Sequence, residues 1–242
     1  MRTRTWLVSA LVAAAVLLND NNLTAQGSCG GRAVNLGAGC SGLSIGNSHR
    51  WSGIRLNWQD RSVERVRGIN LTLWKFPEDK DLVTGDFAGL NVGLSPAGSR
   101  LSGIQTGVLA VVAQQKLLGV NLGGLATVSN GDAQGINAAG LATVTEGVAE
   151  GLNFGGLAMV GTGGLYGISA GGLATVSNGD AHGISVAGLA TVANGTMYGI
   201  NAAGLAVVGN GGMQGLNVSG LATVTNGNLR GISLAGLATV AN

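Results

Sequence analysis

From Gly119 to the last residue the chain repeats itself every 16 residues, and glycine sets the frame: Gly119, Gly135, Gly151, Gly167, Gly183, Gly199, Gly215 and Gly231. One unit, Gly135 to Glu150, reads GINAAGLATVTEGVAE. A fixed short period means one supersecondary unit stacked on copies of itself, because a single unit cannot bury its own apolar side. The motif occurs earlier at uneven spacing, in GIRLNW at Gly53, GINLTLW at Gly68 and GLNVGL at Gly89, and the period becomes regular from Gly103. Residues 49–242 therefore read as one β-repeat domain, irregular to about residue 102 and regular over 103–242. A Gly/Ser-rich segment, 26–48, precedes it.

Two columns in the aligned units have turn chemistry. One reads SNGD, TEGV, GTGG, SNGD, ANGT, GNGG, TNGN, with Asn-Gly at the centre of most copies. Asn-Gly is the strongest short hairpin signal, since both central residues of a type I′ turn need positive φ. The other opens with Asn or Ser and closes with Gly, as in NAAG from Asn137 to Gly140, the composition of a type I turn. These turns alternate and leave room for strands of about six residues. Hairpin pairing would place Val128 opposite Ala133, Thr127 opposite Gln134 and Leu125 opposite Ile136. The expected fold is all-β: short antiparallel hairpins in a shallow barrel or ring. Its apolar cup would be lined by Val128, Val144, Val160, Val176, Val192, Val208 and Val224, facing Leu165, Met197, Met213 and Leu229. The alternative is a β-solenoid with one coil per unit, in which Asn121, Asn137 and Asn153 would stack as a polar ladder.

Glycine at 45 residues with only two prolines excludes collagen, which needs both in strict order. Charged residues at 10% with abundant aliphatics argue against disorder. The formal net charge of +2 falls to +1 without Arg2, Arg4 and Asp20, so no nucleic-acid partner is expected. Arg2 and Arg4, an apolar run from Trp6 to Leu18, and small residues ending at Ala25 have the order of a cleaved secretory signal peptide. The implied location is exported: periplasmic, outer-membrane associated or extracellular. Strands of about six residues are shorter than the 9–11 that a membrane-spanning barrel needs. After export Cys29 and Cys40 can form a disulfide or remain idle thiols. Residues 50–81 concentrate Arg50, Arg55, Arg61, Arg65, Arg67, Lys75 and Lys80 with Trp51, Trp58 and Trp74. They read as early strands with solvated charges and aromatic plugs at the end of the array, or as a binding surface.

The GINAAGLATV and GISVAGLATV units resemble bacterial exported surface-repeat proteins and the β-flower proteins, shallow rings of β-hairpins. That resemblance implies an exported envelope protein without catalysis, and it carries no functional residues. The residues themselves offer no catalytic, cofactor or metal constellation. Glu146 and Glu150 read as solvated charges, and His182 has no acid or nucleophile at a usable spacing. Three readings follow. The first is a non-enzymatic envelope or surface scaffold whose partner is an envelope protein, a lipid or a membrane surface. The second is a binder of lipid or another apolar ligand in the cup. The third, ice binding by the column Thr127, Thr143, Thr175, Thr191, Thr223 and Thr239, is interrupted by Met159 and Val207.

Overall fold

The computed structural model describes residues 29–74 and 85–242. The signal-peptide reading, Lys75 and Lys80 fall outside them. The strands begin with β1 (Gly31–Leu36), β2 (Ser41–Ser48), β3 (Arg50–Gln59), β4 (Arg65–Trp74) and β5 (Asp86–Gly93). They continue with β6 (Ala97–Gly107), β7 (Ala110–Gly123), β8 (Ala126–Ser129), β9 (Asp132–Ala139) and β10 (Ala142–Thr145). Thereafter a strand of seven or eight residues alternates with one of four to the end of the chain.

From β2 onward the pairing is parallel and joins each residue to its equivalent one repeat later. Gly119 pairs with Gly135, Asn121 with Asn137, and Thr127 with Thr143. The protein is a β-solenoid of about 11 turns, and the hairpin ring is corrected. Thr127 does not face Gln134, and Val128 does not face Ala133; each meets its own kind in the next coil.

The reason lies in φ. A type I′ turn needs positive φ at both centres. Ser62 is the only described non-glycine residue with positive φ, so Asn130 lacks it, and Gly131 is not among the positive-φ glycines. The Asn-Gly pair makes a corner instead of a reversal. Positive φ falls on the frame glycines, such as Gly135 at 115°. A Cβ there would stand 2.2 Å from the carbonyl oxygen of Gly119. Glycine thus bends the long strand and lets successive coils approach. Around each bend, inward and outward positions stop alternating: Ala133 and Asn137 are buried, while Gln134, Gly135 and Ile136 between them are not. With the corners at Asn130–Gly131 and Gly140–Leu141, each coil has three short sides. One side carries Asp132 and Gln134 outward, the second Ile136 and Ala138, and the third Ala142 and Val144.

The irregular first third belongs to the same array. Gly42, Gly53, Gly68, Gly89, Gly103 and Gly119 lie in one register column despite their uneven sequence spacing. A register shift between Gly98 and Arg100 absorbs one irregularity within β6, and the column stays intact. At the start, β1 turns back antiparallel to β2 and covers its edge, and Cys29 is bonded to Cys40. β1 is thereby the outermost strand at that end of the array.

The interior is narrow and partly polar. Asn121 donates through Nδ2 to Oδ1 of Asn137, which donates in turn to Asn153, each at 2.9 Å. Asn201 and Asn217 repeat the contact at 2.9 Å. Ser169 and Ser185 are shorter, and the ladder breaks there, leaving Asn153 Nδ2 and Ser169 Oγ without partners. Arg55 stands in the same column and is fully buried. It donates to Asp60 and, at 2.9 Å, to Asn70 Oδ1 and Asn47 Oδ1. One of the charges expected to be solvated is therefore a neutralised core charge, which its partners make tolerable.

In two coils a large inward residue after the corner is matched by a glycine before it. A Cβ on Gly161 would lie 2.4 Å from Leu165 Cδ2, and one on Gly209 would lie 3.0 Å from Met213 Cγ. Of the two coils between, one pairs Ser177 with Ala181 and the other Ala193 with Met197. Leu165→Ala is expected to cost about 2–4 kcal/mol through the cavity it leaves. Gly161→Ser is expected to cost about 1–3 kcal/mol through overpacking. The double variant reproduces the Ser177/Ala181 arrangement, so its loss should fall short of the sum of the single losses by about 1 kcal/mol or more. Guanidinium unfolding of the three variants measures this, and strict additivity would contradict the packing.

Candidate interaction surface

The residues expected to share one cup are split by the wall of the solenoid. Val128, Val144, Val160, Val176, Val192, Val208 and Val224 sit half-buried on the outside of the short strands. Leu165, Met197 and Met213 are buried inside, and Leu229 packs partly buried against the inner cluster in the last full coil. No cup is formed from them. The threonine column also points inward. Thr127, Thr143, Thr175 and Thr191 donate to the carbonyls of Ala138, Phe154, Val186 and Ala202 at 2.6–3.0 Å. Those hydroxyls are bonded within the core and do not form a surface array.

The first outer side is polar. Gln134 donates to Glu150 at 3.0 Å. Further along that column Tyr166, His182 and Tyr198 stack, with centroids 4.8 and 4.4 Å apart. Asp180 Oδ2 lies 4.0 Å from His182 Nε2. The inner ring faces are occupied by each other, so the stack offers edges more than faces to a ligand. Glu146 is exposed at a corner. Among the described residues no group of three His, Cys, Asp or Glu side chains could hold a metal ion.

On this side near the start of the array is a cleft of about 520 Å³, lined by Arg50, Trp51, Ser52, Glu64, Arg65, Arg67 and Cys40. Arg50 is paired with Glu64 across it. Trp51 is a buried wall whose Nε1 donates to the carbonyls of Gly42 and Ile54. Trp58 is 74% exposed. The cleft holds cationic and anionic side chains in a ring, without a nucleophile–base pair.

The second side differs from both. Its first column follows each frame glycine and stays aliphatic from Leu43 to Ile232, through residues such as Ile54, Ile104, Ile136 and Ile200. The second column runs Leu122, Ala138, Phe154, Ala170, Val186, Ala202, Val218 and Leu234. At the adjoining corner stands an exposed leucine in each coil, including Leu125, Leu157, Leu189 and Leu221. None of these columns contains a charged residue. Soluble monomers rarely expose a contiguous apolar patch beyond a few hundred Å². Sequence reasoning missed this side, because hairpin pairing assigns Ile136 and Leu125 to opposing strands. The signal is present in the register of 16: an aliphatic residue after every frame glycine with no charge among them. No family model, curated protein or solved structure matches this chain.

Proposed function

We propose that the mature chain is a non-enzymatic, exported scaffold of the cell envelope or surface, a stiff rod that works through lateral contact. The observation that carries this reading is the charge-free apolar side running the length of the array. A rod of hydrogen-bonded coils holds that side flat without any ligand, and repeat arrays present extended binding surfaces of this kind. The order of the leader and the Cys29–Cys40 bond suit an oxidising compartment. The surface-repeat resemblance of the GINAAGLATV units points the same way. The apolar-ligand alternative loses its support, because the residues of its cup lie on both sides of the wall.

Expression of the whole chain in a bacterium tests the reading. The expected product begins just after Ala25, has no alkylatable thiol before reduction, and stays with the envelope through a salt wash. The triple variant Ile136→Asn, Ile168→Asn, Ile200→Asn should be exported and folded yet released by that wash. An intact product in the cytosol with free thiols would contradict it.

A further inference from the structure

The second side carries a finer pattern than apolarity. Its first column is uniformly large, but the second alternates from coil to coil between Leu122 and Val218, after an unbroken large run of Ile45, Leu56, Leu71 and Val92. Leu122 is large and Ala138 small, Phe154 large and Ala170 small, Val186 large and Ala202 small, Val218 large. Phe154, Val186 and Val218 are 39%, 40% and 36% exposed, so each stands out as a knob. The intervening alanines leave sockets. Coils repeat at about 4.8 Å, so knobs recur about every 9.6 Å, with a socket midway between.

Such corrugation suits a partner that is rigid, flat, apolar and built on the same repeat. We propose that two copies of this chain pair face to face through this side, the knobs of each seated in the alanine sockets of the other. A two-fold axis between the Ala170 and Val186 coils sets Phe154 over Ala202, Val186 over Ala170 and Val218 over Ala138 of the other copy. Packed sheets sit about 10 Å apart, a gap that interdigitated side chains of this size fill.

The area agrees. In that arrangement the coils from Leu122 to Leu234 overlap, about 8 coils at about 4.8 Å, so the shared strip is on the order of 40 Å long, and four strand residues make it about 13 Å wide. The resulting area is about 500 Å² on each partner before side-chain relief is counted, about 1,000 Å² in total, at the lower edge of specific interfaces. The corner leucines Leu157 and Leu189 then lie at the margin and close it to water. The third side has no such relief. Its Ala142 and Val144 columns are uniform along the array, and each is only half-buried. A fluid acyl-chain surface has no period against which alternating side chains could register, so the pattern favours a second copy over a bilayer. The pairing names the partner of the surface proposed above and rests on that reading of it.

Sedimentation equilibrium of the oxidised mature chain at about 50 µM, a concentration suited to an interface at the small end of the range, tests the pairing. A dimer is expected. Ala170→Arg puts a cation into a central socket and should raise the dissociation constant at least 100-fold. The triple variant Phe154→Ala, Val186→Ala, Val218→Ala removes the knobs from exposed positions and should raise it at least tenfold with an unchanged circular dichroism spectrum. Gln214→Arg, on the polar side, should leave it unchanged. Three results would overturn the pairing: a monomer at 50 µM, a dimer indifferent to both socket and knob variants, or a monomer that floats with phosphatidylcholine vesicles. A monomer that is still exported and held by the envelope would remove the pairing and leave the scaffold reading standing.

Discussion

Gly167→Ala is expected to destabilise the protein by about 3 kcal/mol or more, although the change adds one methyl group at an exposed position. Gly167 has φ of 105°, outside the left-handed well that L residues visit. The added Cβ would also stand 2.3 Å from the carbonyl oxygen of Gly151 in the neighbouring coil. Backbone rather than a flexible side chain fills that space, so relief requires the two coils to separate. Separation breaks the parallel pairing of Gly151 with Gly167 and of the residues on either side. Gly39→Ala provides the comparison. Its φ is 61°, but nothing lies within 4 Å of the added Cβ, so it should cost only about 1 kcal/mol. Guanidinium unfolding midpoints of the two variants measure the difference. Equal losses would contradict both the strained φ of the frame glycines and the close approach of coils at them.

The second large effect is a buried charge. Asn137 is fully buried, accepts from Asn121 through Oδ1 and donates through Nδ2 to Asn153. Asn137→Asp keeps the acceptor and removes the donor. At pH 7 a carboxylate would then face the Asn153 oxygen with one hydrogen bond and no cation, at a cost of about 3–5 kcal/mol. Burial raises the folded-state pKa of such a carboxyl above its ordinary value of about 3.9. Below about pH 4 both states hold the proton, and the carboxylic O–H can donate to Asn153 as the amide did. As pH rises from there, the unfolded chain ionises first and binds fewer protons than the folded one. Stability then falls by up to about 1.4 kcal/mol per pH unit until the folded pKa is passed. The variant should therefore approach the parent at pH 3.5 and fall away by pH 7. A deficit independent of pH would show that the column is not a closed ladder.

Much of the array can be read from residue order. The 16-residue period, the all-β character and the glycine frame all follow from GINAAGLATV and its copies, and so does the Asn ladder once coils are stacked. The direction of the strands does not follow. Asn130–Gly131 has the composition of a reversal, but stacking on the neighbouring coil holds it at a corner with negative φ. Tertiary pairing overrides the local preference. Apolarity alone predicts a buried valine column. It lies outside because the inward positions beside it are filled by threonines that bond backbone carbonyls. Leu165 and Met213 show the converse: their size could be placed inside only by seeing that Gly161 and Gly209 make room for them. Ile136 and its equivalents could have been recognised as an exterior column, since like residues at the repeat distance become neighbours only if coils stack in parallel. The bonded Cys29 and Cys40 were legible as a pair, whereas the burial of Arg55 against Asp60 was not, because it depends on Arg55 occupying the Asn column.

The central claim is that each repeat advances the chain by one coil in a straight line. Spin-label distances along the polar outer column test it most directly, with labels at Glu150 and Gln214, and then at Gln134 and Arg230. These pairs are four and six repeats apart, so a parallel solenoid at about 4.8 Å per coil gives about 19 Å and about 29 Å. Hairpins, with two strands per repeat, would advance about 9.6 Å each time. A value near 38 Å for the first pair, or a second distance no longer than the first, would contradict the solenoid.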